Sequence, residues 1–115
     1  MDLHELRDRL RAFAEERDWD QFHSPKNLTM ALSVEVAELM EHFQWLSEEE
    51  SREPPADLRE ELVEEIADIQ IYLVQLADKL GIEILDAAAA KVRENDRKYP
   101  ASQVKGSSKK YSDYE

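Results

Sequence analysis

Apolar side chains recur at three- and four-residue spacing along nearly the whole chain, and only two glycines and four prolines interrupt them. That periodicity belongs to helices that each bury one stripe, and no segment alternates convincingly at the two-residue period of a strand. The expected fold is all-α, a four-helix-bundle-type protomer. The first helix should run from about Leu3 to Arg17, opened by Asp2 with Glu5 three residues on, and should bury Leu6, Leu10, Phe13 and Ala14. Ser24 and Pro25 suit the N-cap and first position of a second helix to about Leu46, striped by Leu28, Leu32, Leu39 and Phe43.

The stretch "SEEESREPPADLREE" reads as a polar connection broken by Pro54 and Pro55. A third helix then runs to Leu80, with Gly81 just past its end. Leu62, Ile66, Ile69, Leu73, Leu76 and Leu80 face one way while Val63, Ile71, Tyr72 and Val74 cover other sides. That helix is therefore expected at the centre, buried nearly all round. A fourth spans about Glu83 to Lys98 and must stop before Pro100. Residues 1–100 form one expected domain and 101–115 a polar tail. Four such helices carry more apolar surface than one protomer covers, so a homo-oligomer is expected, a homotetramer or a dimer.

Twenty-seven acidic against fifteen basic residues leave a formal net charge of -12, a field that repels nucleic-acid polymers. The absence of cysteine removes disulfides and thiolate chemistry and fits a cytoplasmic location. The first residues lack the apolar core of a signal peptide, and nothing approaches the roughly 20 apolar residues that span a bilayer, so no membrane partner is expected.

Against this background four acids stand out. "SVEVAELMEHFQW" sets Glu35 and Glu38 within an apolar run, and "EEIADIQIYL" repeats the arrangement with Glu65 and Asp68. A lone E-x-x-E pair in so charged a chain is ordinarily a solvated helix face. Two pairs on the two most hydrophobic helices differ, because antiparallel packing would bring them together. Partly desolvated carboxylates repel and raise one another's pKa, and a cation relieves both costs. Oxygen-only donors favour a hard ion, Mg2+ above all. A di-iron centre expects Glu-x-x-His on two helices, whereas here His42 merely follows Glu38 by four. Zinc would want histidine or cysteine ligands. His4, His42, Glu60 and Glu61 are expected at the surface.

The ordered segments "FAEERDWDQFHSPKNL", "EVAELMEHFQW", "EELVEEIADIQIYLVQLA", "NDRKYP" and "GSSKKY" resemble the all-α nucleoside triphosphate pyrophosphohydrolases of the MazG-like group, most closely the dCTP pyrophosphatases. The family's E-x-x-E and E-x-x-D magnesium motif falls on Glu35, Glu38, Glu65 and Asp68. The resemblance implies hydrolysis of a nucleoside triphosphate, dCTP or a modified relative, to the monophosphate and pyrophosphate. Glu38 is the candidate base for the attacking water, although all four acids suit either role. The resemblance also places Trp19, His23 and Trp45 near a base pocket, where aromatic rings stack bases. Tyr72, Lys91, Asn95, Lys109 and Lys110 are further candidates for substrate contact, the last two on a tail that could fold over a triphosphate. The rival expectation is a non-catalytic acidic helical module for oligomerisation or regulation.

Overall fold

The computed structural model describes residues 1–107, every regular element of which is helical. It divides the chain into two compact units, residues 1–82 and 83–115. The first opens with α1, Leu3–Glu16. Asp2 caps it, its carboxylate accepting the Glu5 amide at 2.8 Å and satisfying a donor that the first turn cannot. Asp18 then takes a positive φ of 54°, a left-handed step that a short polar side chain tolerates. The reversal lets the Trp19 amide donate to the Ala14 carbonyl at 2.9 Å.

A single 3-10 turn, Asp20–Phe22, leads into α2, Pro25–Phe43. Ser24 and Pro25 hold the expected places, with Ser24 Oγ accepting the Asn27 amide at 3.1 Å. The Asn27 side chain donates back to the Phe22 carbonyl at 3.0 Å and fastens turn to helix. The connection read as polar linker contains a short helix, α3, Glu48–Arg52. Its cause is a reciprocal capping box: Ser47 Oγ accepts the Glu50 amide at 3.1 Å while Glu50 Oε1 accepts the Ser47 amide at 2.9 Å. α4, Ala56–Leu80, starts directly after the prolines. It ends at Gly81, where φ is 66° and the Ile82 amide reaches back to the Ala77 carbonyl at 2.9 Å.

α4 packs against both α2 and α1, as expected of the central helix. The buried apolar residues of the described chain are Ala14, Leu28, Leu62, Val74 and Ala77. Burial of α4 all round is not what the single chain shows: Val63, Ile66, Leu73 and Leu80 are exposed, as are Met30, Val34, Val36 and Met40 on α2. Apolar spacing records which sides avoid water, whereas what covers them depends on neighbours.

Two ion pairs pin the far end of α4. Arg11 of α1 forks onto both oxygens of Asp78, and Lys79 bonds Asp20 of the 3-10 turn. The hydrogen bonds from Arg11 hold the Asp78 carboxyl below its usual range. A carboxyl depressed on folding contributes stability above its unfolded pKa of 3.8, and that contribution is lost as pH falls through the lower folded value. Asp78→Asn should therefore cost about 1 kcal/mol at pH 7, because Arg11 is half exposed, and the cost should shrink in acid. Urea midpoints of the two chains at pH 7 and pH 3 check this.

The second unit begins with α5, Ile84–Lys98, in which Glu94 pairs with Lys98 at 2.9 Å and with Lys91 at 3.5 Å. After Pro100 the chain turns once more as α6, Ala101–Val104, at the start of the segment read as a polar tail. No helix among the described residues is long and apolar enough to cross a membrane.

Candidate metal centre

Glu35 and Glu38 lie three apart on α2, and Glu65 lies on the facing stretch of α4. Each of the three offers a carboxylate oxygen, and these oxygens lie within 4.8 Å of one another. The helices run antiparallel here. His42, one turn after Glu38, comes to 3.5 Å from Glu61, which lies one turn before Glu65. The two acidic motifs thus meet for the reason their sequence positions implied.

Partial burial, then repulsion from Glu38, then protons shared with Glu38 and Glu65, push the Glu35 carboxyl up from 4.5 to about 7. Asp68 adds to that repulsion but stays exposed, outside the close trio. Glu38 is the exposed member, whereas Glu35 and Glu65 are half-buried. Glu65 Oε2 is buried and, among the described residues, accepts no hydrogen bond, a costly state for a carboxylate oxygen. Crowded acids, an orphaned buried oxygen and an oxygen-only donor set fit a hard divalent cation.

The raised Glu35 pKa has a definite sign. A carboxyl that holds its proton more tightly when folded stabilises the metal-free chain below pH 4.5, and that stability fades as pH rises through about 7. A cation must displace the same proton. Mn2+ affinity should therefore fall about tenfold between pH 8 and pH 6, the population of ionised Glu35 falling in proportion. Mn2+ titrations at the two pH values, with chelator-treated melting curves from pH 4.5 to 8, measure both effects.

The residues expected around a base are not brought together within one chain. Trp19 and His23 precede α2 and Trp45 follows it, so a 19-residue helix, roughly 28 Å long, separates them. Trp19 is 47% exposed and meets Phe13 edge to face, with ring centroids 5.7 Å apart. Trp45 is 87% exposed. His23 lines a small cleft with Arg7, Arg11, Gln75, Asp78 and Lys79, well down α4 from the carboxylates. Tyr72 is half-buried, one turn beyond Asp68. Lys91 and Asn95 lie on α5 in the second unit, where Lys91 reaches Glu94. Lys109 and Lys110 fall outside the described residues.

Sequence reasoning did not set His42 beside the cluster, whereas Glu61, 63% exposed, lies at the surface as expected. His42 is not a surface residue: its side chain is only 23% exposed, and Nε2 lies 3.8 Å from Glu65 Oε1. The signal was present, since His42 follows Glu38 by four and Glu61 precedes Glu65 by four, which places each on its motif's face.

Fold and cluster together define a class, all-α chains that gather acidic side chains between two antiparallel helices. The MazG-like family pattern matches residues 30–114, and the chain belongs to that family. It is 47% identical over 103 residues to dCTP pyrophosphatase 1 of Bos taurus and 45% identical over 103 residues to that of Homo sapiens, with 88% of this chain covered in each case. The chain spans 61% of the length of either relative. A crystal structure of a pyrophosphatase from Archaeoglobus fulgidus is similar throughout its fold, with a TM-score of 0.79 and 46% identity over 84% of this chain and 91% of that one.

Proposed function

We propose that this chain is a Mg2+-dependent pyrophosphohydrolase that cleaves a deoxynucleoside triphosphate, dCTP or a modified relative, between its α and β phosphorus atoms to give the monophosphate and pyrophosphate. The observation that carries this is the convergence of Glu35, Glu38 and Glu65, together with a buried Glu65 oxygen that accepts no hydrogen bond among the described residues. The substrate reading draws on dCTP pyrophosphatase 1 relatives at about 45% identity and on the Archaeoglobus fulgidus pyrophosphatase.

Glu35, Glu38 and Glu65, with Asp68 alongside, would hold Mg2+. When bound, the ion neutralises phosphate charge and acidifies a water. The protein's own tasks follow from placement. Glu38, the exposed member of the trio, faces solvent and is the group to take the proton from the attacking water. Glu35 and Glu65, less exposed, stay fixed by packing.

A base pocket bordered by Trp19, His23 and Trp45 requires more than one copy, because α2 holds the first two away from the third. Together with the exposed apolar rows on α2 and α4, this supports a homo-oligomer, dimer or tetramer, in which one protomer's Trp45 meets another's Trp19. Tyr72, Lys91, Asn95, Lys109 and Lys110 remain the candidates for sugar and phosphate contacts. A cytoplasmic role in cleansing the nucleotide pool accords with the cysteine-free composition.

The test is pyrophosphate release from a panel of nucleoside triphosphates with Mg2+, for the native chain and for Glu38→Gln. Release from dCTP above the other nucleotides, lost in the variant while helicity and oligomer size persist, supports the assignment. No turnover of any nucleotide favours a non-catalytic helical module instead.

A further inference from the structure

The carboxylate trio has an edge that neither acidic motif accounts for. His42 stands one turn beyond Glu38 on α2, in the antiparallel seam opposite Glu61 and Glu65 of α4. Its two ring nitrogens face different carboxylates: Nδ1 lies 3.5 Å from Glu61 Oε2, and Nε2 lies 3.8 Å from Glu65 Oε1. The ring and Glu65 are largely covered, their side chains 23% and 17% exposed, whereas Glu61 is 63% exposed. An ordinary surface ion pair would leave both partners wet and rotating. Here the imidazole sits between an inner carboxylate of the cluster and an outer one at the solvent boundary.

The two oxygens of Glu65 consequently have unequal surroundings. Oε1 has a ring nitrogen within electrostatic reach, while Oε2 is buried and, among the described residues, accepts no hydrogen bond. A carboxylate free to rotate would present either oxygen to an ion and would lose that freedom on binding. One already drawn toward a neighbour by Oε1 presents Oε2 without further ordering.

We propose that His42 is a positioning residue for the metal centre. With its Nε2–H directed at Oε1 of Glu65 it draws that oxygen outward and leaves Oε2 as the oxygen that receives the cation, while Glu61 borders the solvent edge of the ring, 3.5 Å from Nδ1. This rests on the cation-binding reading above. It adds to that reading an outer group, acting through Glu65, that neither acidic motif contains. Groups that hold a metal-binding side chain in place typically contribute 10- to 100-fold in metal affinity.

The experiment is a Mn2+ titration of the full chain without nucleotide, with free Mn2+ followed by electron paramagnetic resonance, so the readout is independent of turnover. His42→Leu should weaken binding at least about tenfold. His42→Gln, whose amide can still donate toward Glu65, should recover most of that loss. Glu61→Gln, whose amide can donate to Nδ1, should leave binding close to native, because that nitrogen is not the one that meets Glu65. Equal affinity in the native and His42→Leu chains overturns the proposal. So does a glutamine variant no better than the leucine one, which would mean the ring serves only as packing volume. Should His42→Leu fail to fold by circular dichroism, His42→Met takes its place as the variant without a donor: a loss that His42→Gln recovers supports the positioning role, and native affinity overturns it. Failure of the native chain to bind Mn2+ is a distinct outcome, which removes the metal centre itself.

Discussion

Glu65→Gln should abolish cation-dependent turnover while making the metal-free protein harder to melt. Both effects have one cause. Glu65 is an inner member of the trio, with one oxygen buried and without a hydrogen bond among the described residues, and the proton it shares with Glu35 helps push that carboxyl up to about 7. Replacing the carboxylate by an amide removes a negative charge from a partly desolvated place and adds a donor that neighbouring carboxylates can accept, so the cation-free fold gains. The same change deletes an anionic oxygen from an ion that prefers such ligands. The loss in metal affinity should exceed the ~100-fold upper range seen when only a supporting group is changed. Stability rising as function falls marks a site held under electrostatic strain for use. A purely structural acid would behave oppositely, since its loss would lower the melting temperature. Melting curves in chelator, paired with Mn2+ titration, separate the two cases.

The second large effect belongs to the core. Leu28 is 1% exposed, the most completely buried large side chain, in the first turns of α2 just after the Ser24 cap. Four other buried apolar residues accompany it among those described, so little surplus exists to absorb a cavity. Leu28→Ala should cost about 3 kcal/mol, and for a chain of this length that lowers the melting midpoint by roughly 12 °C. The loss should be independent of pH and of cation, in contrast to Glu65→Gln. Thermal melts at pH 6 and pH 8, with and without Mn2+, measure that independence.

Much of this was legible beforehand because it depends on local chemistry. Ser24 with Pro25, Gly81 before Ile82 and Pro100 mark helix ends through capping and excluded dihedrals, and those ends stand where expected. The meeting of Glu35 and Glu38 with Glu65 followed from helical periodicity and antiparallel packing. α3 escaped notice although Ser47 and Glu50 spell out its capping box, because Pro54 and Pro55 drew the whole segment into a linker. Other features depend on what lies across a gap, which spacing along one helix does not encode. Asp68 shares its helix with Glu65 yet remains exposed, and His42 looked like surface charge until Glu61 and Glu65 were set opposite it. The aromatic residues near the expected base pocket are close in sequence to α2 but sit at its two ends. Ile66 and Val63, apolar and exposed on α4, show the same limit: a pattern states what a face prefers, and only a partner states what it receives.

The most direct measurement is an anomalous difference map from crystals of the chain soaked in Mn2+. One or more peaks about 2 Å from oxygens of Glu35, Glu38 and Glu65, with Glu65 Oε2 among the ligands, is the predicted result. Fully occupied Mn2+ found only elsewhere on the protein, with these three carboxylates left without an ion, would contradict it.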